Sequence, residues 1–239
     1  SIYSFLFIVI RNEIRLNNFY ITKSICNYKP QKTAVVLMDQ RAAKALKSLG
    51  VNFKDILDSA NEQFKIHNLP IRYKLETEHS FYWYPKEKSC IFFDATFADQ
   101  KKCIINELSQ RIKLLRKKND PDIIIFITAL REEVSAKSFV RKNYSHGNGT
   151  IVVNLGYHRI FKIKSKGVRK YFLRGYGQIL AHEISHLYGL EKHVADLNSI
   201  MRGTIEFGSP ELKFDNKSLK QLKENLGKLK ISQQKCAAR

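Results

Sequence analysis

The sequence predicts an α+β fold, a twisted mixed β-sheet with one helix that carries a cluster of histidines and another helix near the C-terminus. Short runs of β-branched and aromatic residues predict strands, and segments with apolar residues at helical spacing alternate with them. The chain has 239 residues, of which 44% are hydrophobic, so it can bury a sizeable core and is most simply one domain with terminal extensions.

The first elements alternate between strands and helices. Residues 33–38 predict a buried strand that ends at Asp39. Apolar residues recur at helical spacing over residues 52–67, and residues 69–75 then show the alternation of a strand. A second helix is predicted over residues 99–118.

Two strands, a helix and a final helix complete the predicted order. An unbroken apolar run predicts a buried strand over Ile123–Thr128, and a glycine-rich break precedes a strand over residues 150–155. The histidine-bearing helix is predicted over residues 173–188. Its buried face is expected to comprise Tyr176, Leu180, Ile184 and Leu187, with His182 and His186 pointing away from that face.

The C-terminal helix is predicted from its first turn and its leucines. Ser218 and Gln221 have the spacing of a capping box, in which each side chain accepts a hydrogen bond from the backbone N–H of the other residue. A stripe of leucines at helical spacing follows, comprising Leu219, Leu222, Leu226 and Leu229.

A dense group of histidines predicts a catalytic zinc site. His182 and His186 are four residues apart, so on a helix both imidazoles project from one face. Glu183 lies next to the first ligand, where a carboxylate can hold a water and take its proton. Gly189 favours the end of the helix, and His193 can then supply a third ligand, which leaves a fourth position open. The competing interpretation is a solvated helix face that binds nothing.

The segment HEISHLYGLEKH, followed by Met201, resembles the signature of the metzincin metallopeptidases. The distance from His193 to Met201 resembles the methionine-containing turn of the matrixins, and the order of strands and helices resembles that of the reprolysins. The resemblance implies the zincin fold over residues 32–232, one zinc ion, and an apolar floor beneath it formed by Met201. On its own, a methionine is more often core filler.

One residue too many separates Gly189 from the third histidine. The family signature has two intervening residues, whereas this chain has three, and the strict frame places Lys192 at the ligand position. A one-residue bulge in the turn would allow His193 to reach the metal. Glu191 and Glu206 are the alternative third ligands, and imidazole chemistry favours His193.

The resemblance implies a zinc-dependent endopeptidase that hydrolyses peptide bonds of proteins or peptides, with Glu183 as the general base. The alternative is a catalytically inactive binding module of the same fold, for which the extra residue before His193 is the motive. A weaker third interpretation is an aminopeptidase of the gluzincin kind, with Glu206 or another distant carboxylate at the metal.

Three further features of the neighbourhood have both functional and structural interpretations. The strand at 150–155 could pair with an extended substrate peptide, or it could be ordinary sheet structure. Asp196 is expected to brace the turn after His193 or to be a surface turn residue. Tyr188 has a spacing that suits packing, and Gly203 stands where some relatives place a tyrosine near the metal.

The net charge of +20 would attract anionic partners such as acidic membranes or polyanions. No nucleic-acid-binding motif accompanies the charge, so compositional drift is favoured and specific nucleic-acid binding is not expected. The protein is expected to be a monomer.

Residues 1–31 are predicted to be an extension and residues 233–239 a tail. An apolar run at residues 2–10 is too short to span a membrane and fits a signal-peptide core, a buried strand or a pro-segment. The chain has four cysteines, Cys26, Cys90, Cys103 and Cys236, without metal-ligand spacing; disulfides and reduced thiols are both compatible with them. Secretion is the predicted localisation.

Overall fold

The computed structural model describes residues 32–81, 108, 111–117, 121–129, 144–146, 149–155, 166–203 and 211–237. The elements in chain order are β1 (Lys32–Asp39), α1 (Gln40–Ser48), α2 (Phe53–Lys65), β2 (Tyr73–Phe81), β3 (Ile123–Thr128), β4 (Tyr144–His146), β5 (Thr150–Asn154), α3 (Lys166–Leu187) and α4 (Asn216–Ala237). Residues 111–117 are also helical.

The strands form one five-stranded mixed sheet in the order β2-β1-β3-β5-β4. Four strands are parallel, and β4 pairs antiparallel with β5. The predicted mixed sheet is confirmed. Because β5 lies between β3 and β4, the predicted strand at 150–155 is not available to a substrate peptide. Among the described strands, β4 occupies that edge of the sheet.

Both faces of the sheet are covered by apolar side chains. Along β1, alternate residues point to opposite faces, so Val36 and Met38 join the larger core with α2, α3 and α4. Leu37 joins a smaller core on the other face, which includes Leu108 and Ile112. Strands buried on both faces are typical of parallel sheets, and this explains the unbroken apolar sequence of β1 and β3.

Several predicted elements are confirmed, and one strand is displaced. The strands at 33–38, 123–128 and 150–155 and the helix at 52–67 agree with β1, β3, β5 and α2. The strand predicted at 69–75 begins only at Tyr73 and continues to Phe81. Leu69 is buried, but its N–H donates to the carbonyl of Phe64 at the end of α2, 3.0 Å away, instead of joining the sheet.

Helix α1 was not predicted, because its polar sequence QRAAKALKS contributes only Ala42 and Leu46 to the buried core. It begins after Asp39, whose carboxylate accepts a hydrogen bond from the backbone N–H of Arg41. Asp39 is fully buried at the end of β1, where it also accepts hydrogen bonds from the Arg41 side chain and the Thr128 hydroxyl.

The capping box predicted at Ser218 is wrong, since α4 begins at Asn216. Asp215 caps this helix instead: its carboxylate accepts from both the backbone N–H and the hydroxyl of Ser218. The predicted leucine stripe is confirmed, with Leu222 fully buried and Leu219, Leu226 and Leu229 packed against the core.

Most of the helix predicted at 99–118, the extension at 1–31 and Glu206 lie outside the described residues, as do Cys26, Cys90 and Cys103. Within the described ranges, none of the helices has the length and apolar character needed to cross a membrane.

Candidate metal centre

Helix α3 carries the histidine pair through the middle of the molecule. Residues 175–185 of this helix are buried on every side. The hydroxyl of Tyr176 donates to the carbonyl of Leu155 at 2.6 Å, which ties the helix to the end of β5. On another side, Gly177 lies against Ser59 of α2, where an added Cβ would approach the serine Oγ to 2.2 Å. The absence of a side chain at Gly177 permits this close helix crossing.

His182, which was predicted to point away from the buried face of the helix, is itself buried. Tyr176, Leu180 and Ile184 are buried as predicted, but His182 is also only 6% exposed. A separate chain segment, which contains Ile200, contacts the histidine face of the helix. The apolar periodicity of the helix marks only its main buried face, so it could not reveal this burial. His186 is half-buried, one turn further toward the helix end.

Backbone carbonyls determine which nitrogen of each ring carries hydrogen. The Nδ1 atom of His182 lies 2.7 Å from the carbonyl oxygen of Ile200. The Nδ1 atom of His186 contacts the carbonyl oxygen of Leu190 in the same way. A carbonyl oxygen only accepts hydrogen bonds, so Nδ1 is the protonated nitrogen in both rings. In the neutral form of each ring, Nε2 is therefore the nitrogen that bears the lone pair, as a metal ligand requires.

The two Nε2 atoms face each other at a distance of 3.0 Å. When both rings are neutral with hydrogen on Nδ1, neither Nε2 atom carries hydrogen, and the two lone pairs repel. A cation bound by both nitrogen atoms would remove this repulsion. Zinc–nitrogen bonds of about 2.0–2.1 Å in a tetrahedral site place ligand nitrogens about 3.3 Å apart, so the observed spacing fits a zinc ion.

His193 completes the cluster. Potential ligand atoms of His182, His186 and His193 all lie within 4.8 Å of one another. The His193 ring centroid is 5.1 Å from that of His182 and 5.2 Å from that of His186. The three residues predicted as zinc ligands are thus brought together.

The inserted residue is absorbed in the turn that leads to His193. Gly189 has a φ of +85°, which glycine adopts without strain, and the helix ends there as predicted. Leu190 remains buried, whereas Glu191 and Lys192 are exposed to solvent. The additional length of the segment therefore lies outside the cluster and does not displace His193.

The alternative ligand Glu191 does not belong to the cluster among the described residues. Glu183 is buried, with 5% of its surface exposed, and follows His182 directly on α3. A buried carboxylate at this position is suited to take and return protons beside a bound metal.

Burial lowers the pKa of His182 from 6.5 to about 3, and the electrostatic effect of the nearby His186 acts in the same direction. The hydrogen bond to Ile200 opposes this change but does not outweigh it. The ring is consequently uncharged at neutral pH, and no proton has to leave before a metal binds.

The segment after His193 folds back on itself. Met201 is fully buried, and its carbonyl accepts from the N–H of Val194 at 3.0 Å. Its role as an apolar floor beneath the metal stays a prediction. Asp196 accepts from the N–H of Asn198 at 2.9 Å and is an exposed turn residue. Tyr188 is buried and packs as predicted, with its hydroxyl 3.4 Å from that of Tyr73.

Other residues near the centre were not identified from the sequence. Asp215 accepts hydrogen bonds at 2.7 Å from the hydroxyls of both Ser199 and Ser218. Burial raises the pKa of Asp215, but the hydrogen bonds from Ser218 and Ser199 outweigh burial and hold it below 3.8. Asn225 of α4 donates to the carbonyl of Tyr188 at 2.8 Å. The Asp215–Ser218 contact is local, but the contacts of Asp215 with Ser199 and of Asn225 with Tyr188 join segments that are distant in the chain, so no local sequence pattern marks them.

No model of a known protein family matches the chain, and no curated protein matches it. Its structure is similar to that of archaemetzincin from Methanopyrus kandleri, with a TM-score of 0.50, 16% identity, and coverage of 84% of this chain and 98% of that one. It is also similar to a zinc-dependent peptidase from Methanocorpusculum labreanum, with a TM-score of 0.52, 16% identity, and coverage of 79% and 99%. At these identities the likeness shows that the chain has the fold of these peptidases.

Proposed function

We propose that this protein is a zinc-dependent endopeptidase in which His182, His186 and His193 hold one zinc ion and Glu183 is the general base. The observation that carries the proposal is the convergence of the three imidazoles, with the Nε2 atoms of His182 and His186 3.0 Å apart. Solved structures with a similar fold include an archaemetzincin and a protein described as a zinc-dependent peptidase. The metzincin relationship predicted from HEISHLYGLEKH is part of this proposal.

A zinc ion held there would supply Lewis acidity, which makes a water more acidic and stabilises negative charge on a peptide carbonyl oxygen. The chain's own residues would perform the remaining steps. The Ile200 and Leu190 carbonyls hold the His182 and His186 rings in orientation through Nδ1. The Glu183 carboxylate would accept a proton from the attacking water and deliver it to the leaving amine nitrogen.

Strand β4 is the proposed partner for the substrate backbone. Among the described residues it is the edge strand of the sheet next to β5. An extended peptide added to this edge would form main-chain hydrogen bonds that do not depend on its sequence. This assignment replaces the earlier expectation for residues 150–155.

The test is Glu183→Ala in the full chain. We expect the variant to retain zinc and to lose peptide hydrolysis by about 10²–10⁴-fold, the usual contribution of a positioned general base. Cleavage of a labelled unfolded protein and zinc content would both be measured. The control is Glu191→Ala, which removes an exposed carboxylate from the following turn. Cleavage by Glu183→Ala at the parent rate would refute the mechanism.

The second candidate is a catalytically inactive binding module for polyanions. It is favoured by the exposed lysines of α4, which comprise Lys217, Lys220, Lys223, Lys228 and Lys230. Heparin binding that weakens steeply with salt, with no cleavage of unfolded protein by the zinc-loaded parent, would favour this function. Secretion and the monomeric state stay predictions.

A further inference from the structure

Helix α4 contacts both chain segments that orient the metal-binding histidines. The first segment contains Ile200, whose carbonyl accepts from His182, and the second contains Leu190, whose carbonyl accepts from His186. Each carbonyl belongs to a segment without regular helix or strand structure. The geometry of both ring contacts therefore depends on what holds these two segments.

The first segment is attached to the N-terminus of α4. Ser199 is 1% exposed, and its hydroxyl donates to the carboxylate of Asp215 at 2.7 Å. The same serine oxygen accepts from the backbone N–H of Met201 at 3.0 Å. Ile200 lies between these two residues, and its own N–H donates to the carbonyl of Lys213 at 2.9 Å. The peptide units on both sides of Ile200 are thus fixed relative to the start of α4.

The second segment is attached further along the same helix. Asn225 donates from Nδ2 to the carbonyl of Tyr188 at 2.8 Å, and Gln221 donates from Nε2 to the carbonyl of Gly189 at 3.2 Å. These carbonyls follow the last turn of α3 and would otherwise lack intrahelical partners. The next carbonyl in the chain is that of Leu190, which contacts His186.

We propose that Ser199, Asp215 and Asn225 are positioning residues, through which α4 sets the metal affinity of the centre. This inference rests on the metal centre of the proposed function but not on its peptidase activity. Residues that orient metal-ligating histidines commonly change metal affinity by about 10–100-fold when they are replaced. Because these three act through one further peptide unit, we expect effects near the lower end of that range.

Ser199 and Ser218 form a matched pair for the test. Both are buried, and both donate to the same oxygen of Asp215 at 2.7 Å. Only Ser199 also supports the backbone next to Ile200. We expect Ser199→Ala to weaken zinc binding about tenfold and to change the visible absorption spectrum of the cobalt-substituted protein. Ser218→Ala should lower thermal stability but change zinc affinity less than twofold.

Asn225→Ala and Leu226→Ala form a second pair on adjacent positions of α4. Leu226 packs against the core, so its truncation destabilises the helix while the hydrogen bond from Asn225 to Tyr188 stays in place. We expect about a tenfold loss of zinc affinity only for Asn225→Ala. Zinc affinity would be measured in the full-length folded protein by competition with a chelating dye.

Equal zinc affinities and cobalt spectra for Ser199→Ala, Asn225→Ala and their controls would overturn this inference. A parent protein that binds no zinc would overturn both this inference and the proposed function. A parent that binds zinc tightly but cleaves no peptide would overturn the proposed catalysis alone, and the two variant pairs would still decide the role of α4.

Discussion

His182 lies in the middle of a helix that is buried on every side, whereas His193 lies on an exposed turn that follows this helix. The helical half of the centre is fixed by packing against α2, the sheet and the Ile200 segment. The turn half is fixed by a positive φ at Gly189 and by hydrogen bonds to α4. A closely packed helix cannot accommodate an inserted residue, but a turn held by a few hydrogen bonds can.

The largest expected difference between the two halves concerns the metal ligands. His182→Ala should abolish stoichiometric zinc binding, since it removes the preorganised, uncharged ligand. His193→Ala should bind zinc more weakly than the parent, with the pair on α3 still intact. Zinc content after gel filtration, followed by titration of the metal-free proteins, measures both effects.

Glu191→Ala is the control for His193→Ala, because both replace exposed residues of the same turn. Loss of zinc from Glu191→Ala with normal binding by His193→Ala would overturn the choice of third ligand.

Gly177→Ala should destabilise the helical half by about 1–3 kcal/mol, because overpacking outweighs the better helix propensity of alanine. The added Cβ would lie 2.2 Å from Ser59 Oγ and 3.1 Å from the Ser59 carbonyl carbon. Urea unfolding measures the change. Gly227→Ala on α4 is the matched control, because an added Cβ there would have no neighbour within 4 Å. We expect this variant to gain about 0.5–1 kcal/mol in the free energy of unfolding. Equal effects at both sites would contradict the close helix crossing.

Acid should lower the folding stability of the metal-free protein through protonation of His182. The pKa of this residue is about 3 in the folded state and 6.5 in its ordinary state, so the unfolded chain binds more protons between these values. The contribution of His182 to folding stability is therefore fully present above pH 6.5. It is lost as the pH drops toward 3, by at most about 1.4 kcal/mol per pH unit. Urea midpoints at pH 7 and pH 5 test this, and His182→Gln should have a flatter dependence. An unchanged pH dependence in that variant would count against the buried, neutral ring.

The smallest effect is expected in the turn half. Gly189→Ala should lower the free energy of unfolding by about 1 kcal/mol, because alanine disfavours the left-handed backbone conformation at this position. The loss should be larger still because the new Cβ would lie 2.8 Å from the side-chain nitrogen of Asn225. Gly50 also has a positive φ, +63°, but an added Cβ would have no neighbour within 4 Å. Gly50→Ala thus isolates the backbone cost. If both variants unfold at the same urea concentration, the Asn225 contact contributes nothing.

The same contrast explains what the sequence could predict. The spacing of His182, Glu183 and His186 is local and reflects helical geometry, so it could be recognised directly. The apolar strands β1 and β3 were predictable because burial on both faces leaves a continuous apolar run. Burial of His182 was not predictable, because it depends on a segment that returns from residues beyond the helix.

The wrong prediction for the start of α4 has a related cause. Ser218 and Gln221 have the spacing of a capping box, but Asp215 lies closer to the true start and also has a partner in Ser199. A tertiary contact thus decided between two local capping patterns. The absorption of the extra residue before His193 likewise required the turn geometry, in which Glu191 and Lys192 project into solvent.

The ribosome makes the histidines before it makes the helix that orients them. Under the proposed role of α4, a growing chain that has exposed His182, His186 and His193 still lacks the hydrogen bond that Asp215 accepts and the one that Asn225 donates. Under that role, zinc binding by the growing chain would stay weaker until α4 has docked. If the chain has the proposed peptidase function, the order of translation would therefore delay hydrolysis until this helix is in place.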